Sequence, residues 1–224
     1  MKKFFAVMAM QAALFCPFAQ VLAQDNIAEI NRQSLIAVRT SNLPTLRKLM
    51  DQGASVNTRN RFGDSLLMTA IKSGSTETVD YLLTRQPDVN LANVSRVTPL
   101  MAAAYSGNAA LAQKLLERQA DPLASDQLRK TAMVYAAGGG HAKVVELLLA
   151  HGVAVNARYA NDLTALMWAA GSGHAETVRL LLASGADRNL TDNRGKSALQ
   201  MALDGGYKEA ATLLEQQTMA EAAK

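Results

Sequence analysis

The chain has 224 residues, of which 49% are apolar and 19% are charged, so it is too apolar for a disordered protein and long enough for one or two packed domains. Its formal net charge of +4 falls to about +2 without Lys2 and Lys3, a balance too small to favour nucleic acid or a membrane surface. Cys16 is the only cysteine and precedes the predicted mature chain, which excludes disulfide and thiol chemistry there.

The first 23 residues have the pattern of a secretory signal peptide. Lys2 and Lys3 precede an apolar run over residues 4–15, and Val21-Leu22-Ala23 provides a cleavage site before Gln24. We therefore predict an exported, periplasmic protein whose mature chain begins at Gln24.

A membrane anchor and a lipoprotein are the other interpretations of this segment. A membrane-spanning helix needs about 20 apolar residues, whereas Gln11 interrupts the run and Pro17 ends it. A lipoprotein signal requires a small residue before the cysteine, where this chain has Phe15. The predicted organisation is a signal peptide, a repeat domain and a frayed tail, at residues 1–23, 24–219 and 220–224.

A Ser or Thr recurs every 33 residues through most of the mature chain, at Ser65, Thr98, Thr131, Thr164 and Ser197. Such a residue before an apolar run predicts a helix N-terminus, because its hydroxyl accepts a hydrogen bond from a free backbone N–H. Pro99 follows one of them at the first helical position, where its missing N–H costs nothing. Each member of this column therefore predicts the start of a first helix, helix A.

A glycine column with the same period predicts the turn that ends helix A, at Gly74, Gly107, Gly140, Gly173 and Gly206. A second helix, helix B, then carries apolar residues on one face, as at Val145 and Leu148. Gly53, Gly152 and Gly185 stand where helices usually end. A helix pair this short cannot bury its apolar face alone, so the repeats must stack on one another.

Asparagine recurs after helix B and predicts tight turns between repeats, at Asn57, Asn90, Asn156 and Asn189. The second and third repeats depart from the glycine and asparagine patterns at Gln86-Pro87, Gln119 and Leu123. We therefore expect irregular outer loops in these two repeats.

These columns resemble the ankyrin repeat over residues 27–216, through Thr98-Pro99-Leu100, Ala136-Ala137, Gly173-His174, Val178, Leu181-Leu182 and Gly185-Ala186. The resemblance implies an all-α solenoid of about six helix-turn-helix repeats with hairpin-like loops, including capping repeats at both ends. The repeats are expected over residues 26–58, 59–91, 92–124, 125–157, 158–190 and 191–219.

The histidine of the first ankyrin motif is absent from every repeat, and Met68, Met101, Val134, Met167 and Gln200 stand in its place. This departure implies apolar packing instead of a side-chain hydrogen-bond network, and lower local stability. The first repeat departs further, with Arg32 in the Ser/Thr column and Ser41 in the glycine column, as a capping repeat can.

The resemblance implies a non-enzymatic, monomeric module without a cofactor, which binds a protein partner in a concave groove and buries roughly 1,600 Å². Exported bacterial ankyrin proteins similar to this one are linked with support of a catalase under oxidative stress and with neutralisation of toxins. The sequence does not choose between these two roles. We expect no nucleic acid partner and no membrane insertion after signal cleavage.

A metal site or an enzyme is the competing interpretation. His141 and His174 occupy equivalent places 33 residues apart, but both stand in the Gly-His slot of the resemblance, and His151 is the only further histidine. The glycine-rich segments before them lack the strand and the Lys-Ser/Thr of a phosphate loop. Metal binding and catalysis are therefore disfavoured.

Positions that vary between repeats are predicted to contact the partner. Tyr135 and Trp168 share one column and are expected to pack between repeats, whereas Tyr105 precedes a glycine and is expected to make contact. Exposed apolar tips and basic residues favour a partner with an acidic rim. The predicted contact residues are Arg61, Phe62, Asp64, Lys72, Val94, Arg96, Tyr105, Leu128, Lys130, Asn161 and Arg194.

Overall fold

The computed structural model describes the backbone of residues 17–222, and the side-chain burial of Gln24 and residues 26–215. The predicted signal peptide up to Cys16 and the end of the predicted tail, residues 223–224, lie outside the described residues. The described part of the chain forms twelve α-helices. None of these helices is both long and apolar enough to cross a membrane.

The N-terminal unit, Met1–Pro87, contains two helix pairs. They are α1 (Pro17–Arg39) with α2 (Leu43–Asp51), and α3 (Leu66–Lys72) with α4 (Thr76–Thr84). Helix α1 packs on both α2 and α3, and α3 packs on α4. Helix α1 runs without a break through the predicted cleavage site into the first helix of the capping repeat.

The C-terminal unit, Asp88–Lys224, contains four helix pairs. They are α5 (Pro99–Tyr105) with α6 (Ala109–Leu116), α7 (Ala132–Gly138) with α8 (Ala142–Ala150), α9 (Ala165–Gly171) with α10 (Ala175–Ala183), and α11 (Ala198–Asp204) with α12 (Lys208–Ala222). Within this unit each first, inner helix packs on the next inner helix, and each outer helix packs on the next outer helix. The all-α prediction of serially stacked helix pairs is confirmed.

The predicted helix N-caps form at four of the five Ser/Thr positions. The hydroxyls of Ser65, Thr98, Thr164 and Ser197 each accept a hydrogen bond of 3.1–3.3 Å from the N–H three residues later. Pro99 occupies the first turn of α5, as predicted. Thr131 is buried but does not make the capping hydrogen bond.

The glycine column adopts the left-handed conformation that the sequence predicts, with φ between 68° and 77°. At position 140 glycine is required for a second reason, because a Cβ there would lie 2.5 Å from the imidazole Nδ1 of His174. A side chain at this position would therefore displace the ring of the next repeat.

The prediction of an irregular loop after α6 is wrong. Gln119 takes the left-handed conformation of the missing glycine, with a φ of 64°, so the loop keeps its shape at a cost in backbone strain. Its neighbour Ala120 donates to the carbonyl of Leu115 at 3.0 Å, as Val153 donates to Leu148 at 3.1 Å in the next repeat. In the second repeat Gln86 is also left-handed, but Pro87 has no N–H for this hydrogen bond.

Two members of the asparagine column, Asn90 and Asn156, link neighbouring repeats through their side chains, which corrects the interpretation of these two as local turn residues. Asn156 donates to the carbonyl of Gly185 at 3.3 Å and accepts from the N–H of Asp187 at 2.8 Å. Asn90 makes the same pair of hydrogen bonds to Gln119 and Asp121, at 3.1 and 2.8 Å. We call this two-bond link the asparagine clasp.

The prediction that apolar packing replaces the missing motif histidines is confirmed at four of the five positions. Met68, Met101 and Met167 are at most 1% exposed, and Val134 is 3% exposed. The thioether of Met167 also accepts a hydrogen bond from the N–H of Thr164, at 3.5 Å. Gln200 differs, because its side chain is exposed and donates to Asp204.

Candidate protein-binding surface

The inner helices of the C-terminal unit present a row of aromatic side chains. Tyr105 at the end of α5 is 71% exposed, and its ring lies edge-on to that of Tyr135 on α7, with centroids 5.9 Å apart. Tyr135 and Trp168 are half-buried, so the predicted packing between repeats describes only part of each ring. We call Tyr105, Tyr135, Trp168 and the neighbouring Lys130 the aromatic face.

Lys130 lies over these rings. Its ammonium nitrogen is 5.8 Å from the ring centroid of Tyr135 and 5.5 Å from that of Trp168. A cation over aromatic rings is attracted by their negative faces, which still leaves the charge uncompensated. Among the described residues no carboxylate lies within ion-pair distance of Lys130. Its charge is therefore available to an acidic group of a partner.

The loop before α7 is tied to the aromatic face. The hydroxyl of Tyr135 donates to one carboxylate oxygen of the buried Asp126. The other oxygen accepts the N–H groups of Leu128 and Lys130, at 2.8 and 2.9 Å. Burial, reinforced by the hydrogen bond to Asp126, raises the pKa of Tyr135 to about 12, so the phenol stays a neutral donor.

We call the loops that lead from each outer helix to the next inner helix fingers. Several fingers share the turn that Asp126 holds. Asn60, Asn93 and Asp192 hold equivalent fingers through side-chain oxygens that accept backbone N–H groups. The finger before α9 has Tyr159 at that position instead, and it forms a 3₁₀ turn over Ala160–Asp162. Burial raises the pKa of Tyr159 to about 12, because ionising the phenol would place a charge in the interior.

The finger tips of the C-terminal unit carry most of its predicted contact residues. Val94 and Leu128 are 62% and 68% exposed, which places two large apolar side chains in solvent. Arg96 and Asn161 are exposed in left-handed conformations, with φ of 62° and 61°. The side chain of Gln127 donates to the carbonyl of Val94 at 2.9 Å and so joins two adjacent tips. The structure thus brings these predicted residues to one set of loops.

A cleft of about 410 Å³ lies beside Trp168, between α9 and α11. Arg194, predicted as a contact residue, lines this cleft and forms an ion pair of 2.8 Å with Asp192. Lys196 pairs with Asp204 at 2.6 Å, and hydrogen bonds from Lys196 and then Gln200 lower the pKa of Asp204. The cations of this cleft are therefore already paired, unlike Lys130.

The N-terminal unit holds the other four predicted contact residues. Phe62 is 57% exposed, and the guanidinium of Arg61 lies 4.7 Å from its ring centroid. Asp64 is only 5% exposed and forms an ion pair of 2.8 Å with Lys72. We therefore correct its assignment, because its carboxylate is buried and bonded to Lys72 and is not presented to a partner. Lys72 is half exposed and pairs with it.

The two histidines of the Gly-His slot link adjacent repeats of the C-terminal unit. The Nε2 of His174 lies 3.0 Å from the carbonyl oxygen of Gly138, and that of His141 lies 3.1 Å from the carbonyl oxygen of Tyr105. Each imidazole ring therefore forms a hydrogen bond with the last residue of the inner helix in the preceding repeat. The described residues contain no cluster of three potential metal ligands.

Sequence reasoning missed the part of α1 that lies beside the finger of Phe62. Ile36 is 41% exposed and Arg39 is exposed, and both line a cleft with Arg61 and Phe62. The first repeat lacks the Ser/Thr and glycine columns, so comparison between repeats could not separate its structural positions from its surface positions.

Stacked helix pairs that display variable fingers and an exposed aromatic face define a helical repeat protein with an extended surface for binding. Comparison with known proteins makes this specific: the family model for ankyrin repeats (3 copies) matches residues 34–126, 104–192 and 135–222. The chain belongs to the ankyrin-repeat family, whose domains are generally non-enzymatic protein–protein interaction modules.

One solved structure extends the comparison. The chain is similar to an ankyrin repeat domain from Acinetobacter baumannii AYE, with a TM-score of 0.74 and 28% sequence identity over 81% of this chain and 95% of that one. No curated protein matches the sequence.

Proposed function

We propose that this protein is an exported, periplasmic binding module that holds a folded protein partner against the aromatic face of its C-terminal unit. The observation that carries the proposal is Lys130, an uncompensated cation over half-buried rings beside the 71% exposed Tyr105. Aromatic rings and a cation without a carboxylate partner at one place are typical of the anchor residues of protein interfaces. The exposed tips at Val94 and Leu128 extend the same surface.

Capture from a periplasmic extract with matched variants tests this proposal. Tyr105→Ala and Lys130→Ala should each reduce the amount of partner retained by about tenfold or more, the effect expected for anchor residues. Lys143→Ala is the control, because Lys143 is 86% exposed on an outer helix and carries the same charge. Equal retention by all three variants would show that the partner does not use the aromatic face.

Export is tested separately. The proposal expects the protein in the periplasmic fraction with Gln24 as its first residue, in accord with the signal-peptide pattern of residues 1–23. Full-length protein retained in the cytoplasm would contradict it.

The cellular role proposed first is support of a periplasmic catalase or a related oxidative-stress system, and toxin neutralisation is the alternative. A deletion strain distinguishes them. Peroxide sensitivity without loss of viability fits the stress role, whereas death in the presence of a cognate toxin fits immunity.

A further inference from the structure

A second cleft, of about 640 Å³, lies within the N-terminal unit between α1 and the finger over residues 58–62. This volume lies in the range of ligand pockets, roughly 300–1,000 Å³. Leu35 and Ile36 of α1 line one side, and Phe62 lines the other. Ile36 is 41% exposed and Phe62 is 57% exposed. Two large apolar side chains left in solvent around one cleft mark an interaction site.

The charges around this cleft have one sign. Among the described residues its lining contains no acidic side chain and four arginines, which are Arg32, Arg39, Arg59 and Arg61. Glu29 lies outside the lining but accepts hydrogen bonds of 2.8 and 2.7 Å from Arg32. These hydrogen bonds, with a further one from Gln33, lower the pKa of Glu29 to about 2, so Arg32 is already compensated.

The other three arginines differ in the contacts that their guanidinium groups already make. Arg59 donates its Nε–H to the carbonyl of Gly63 at 2.9 Å and so supports the finger. Arg61 contacts the ring of Phe62, and neither Arg61 nor Arg39 forms an ion pair among the described residues. Two guanidinium groups are thus free to bind carboxylates, for which their planar forks are suited.

We infer that this cleft binds an acidic segment of a protein partner that also carries an apolar side chain. The apolar side chain enters between Ile36 and Phe62, and flanking carboxylates pair with Arg39 and Arg61. This inference rests on the proposed binding function and adds the chemistry of the partner. A simple anion would leave the apolar walls uncovered, which is why the occupant needs both features.

The test is fluorescence anisotropy with the purified full chain and a short labelled peptide in which pairs of Asp alternate with Leu or Phe. Arg39→Glu and Arg61→Glu should each weaken binding about tenfold, and rising salt should weaken it further. Phe62→Ala should weaken it comparably through loss of apolar contact. Arg85→Glu is the matched control, because Arg85 is exposed in the same unit but does not line the cleft.

Several results would overturn the inference. They include equal binding by the Arg85→Glu and Arg61→Glu variants, equal binding of a peptide with Ser in place of Leu and Phe, and displacement of the peptide by inorganic phosphate at an ionic strength at which sodium chloride leaves it bound. Self-association of the chain that Arg61→Glu abolishes would also overturn it, because the cleft would then hold a second copy. Capture that depends on Tyr105 but not on Arg61 would end this inference and leave the proposed function standing.

Discussion

The asparagine clasp gives a stability prediction with an internal comparison. Leu123 occupies the clasp position of the third repeat, where its 65% exposed side chain can neither donate nor accept. The Asn90 and Asn156 clasps identify the groups that an asparagine at 123 would reach, the carbonyl of Gly152 and the N–H of Ala154. Leu123→Asn should therefore stabilise the chain, and Asn156→Leu should destabilise it.

The magnitude follows from two hydrogen bonds. Each contributes a net free energy of about 0.5–1.5 kcal/mol, and ordering the side chain offsets part of this. Leu123→Asn should thus raise the free energy of unfolding by about 1 kcal/mol, and Asn156→Leu should lower it by about 1–2 kcal/mol. For a chain of this size, 1 kcal/mol corresponds to a change in Tm of roughly 2–4 °C.

The assay is urea unfolding followed by circular dichroism, with thermal melting as a second measurement. Leu123→Ser is the control, because serine removes the same exposed apolar surface but is too short to bond both groups. If Leu123→Ser stabilises as much as Leu123→Asn, the gain comes from the lost leucine. If Leu123→Asn does not raise the free energy of unfolding, and removal of the Asn90 and Asn156 clasps does not lower it, the clasp does not contribute to stability.

Three further predictions follow from single positions. Gln119→Gly should raise the free energy of unfolding by up to about 1 kcal/mol, measured in urea, because φ at Gln119 is 64°. Gly140→Ala should destabilise by about 1 kcal/mol more than Gly152→Ala in the same assay, since both are left-handed but only a Cβ at Gly140 meets an imidazole. The pKa of Tyr135 is raised to about 12, so its stabilising contribution, complete below pH 10, should disappear as pH rises through 12. Tyr135→Phe should flatten that part of the pH–stability curve, and an absorbance titration in which this substitution removes no tyrosine titrating near pH 12 would contradict this.

Local backbone requirements explain what the sequence could predict. A hydroxyl side chain favours a helix start and glycine favours a left-handed turn. The roles of Thr98 and Gly107 can therefore be predicted from local sequence alone. The backbone conformation of Gln119 could not be predicted in this way, because surrounding hydrogen bonds impose a left-handed conformation that glutamine itself disfavours. Stacking thus overrides local propensity at this loop.

Contacts with residues beyond the immediate sequence neighbours account for most of the rest. The clasps join groups 29 and 31 residues apart, so a single asparagine looks like an ordinary turn residue. Asp64 looked like a finger-tip residue because the sequence does not reveal that Lys72, one helix later, covers its carboxylate. Tyr135 likewise gave no sign that its hydroxyl would reach Asp126.

One pair of positions, eight residues apart, connects architecture with the proposed binding surface. In the N-terminal unit the pair is Asp64 and Lys72, and in the last repeat the same positions hold Lys196 and Asp204, an ion pair of reversed sign. In the fourth repeat the first position is Lys130, but the second is a glycine, so the cation has no carboxylate and rests on Tyr135 and a tryptophan instead. A Cβ at 138 would lie 3.5 Å from the ring of that tryptophan, an ordinary contact distance, so a side chain can be accommodated there. The glycine thus leaves the charge of Lys130 without a carboxylate at this pair of positions, which is the feature on which the proposed binding surface depends. Gly138→Asp should therefore restore the ion pair and abolish partner capture without lowering stability.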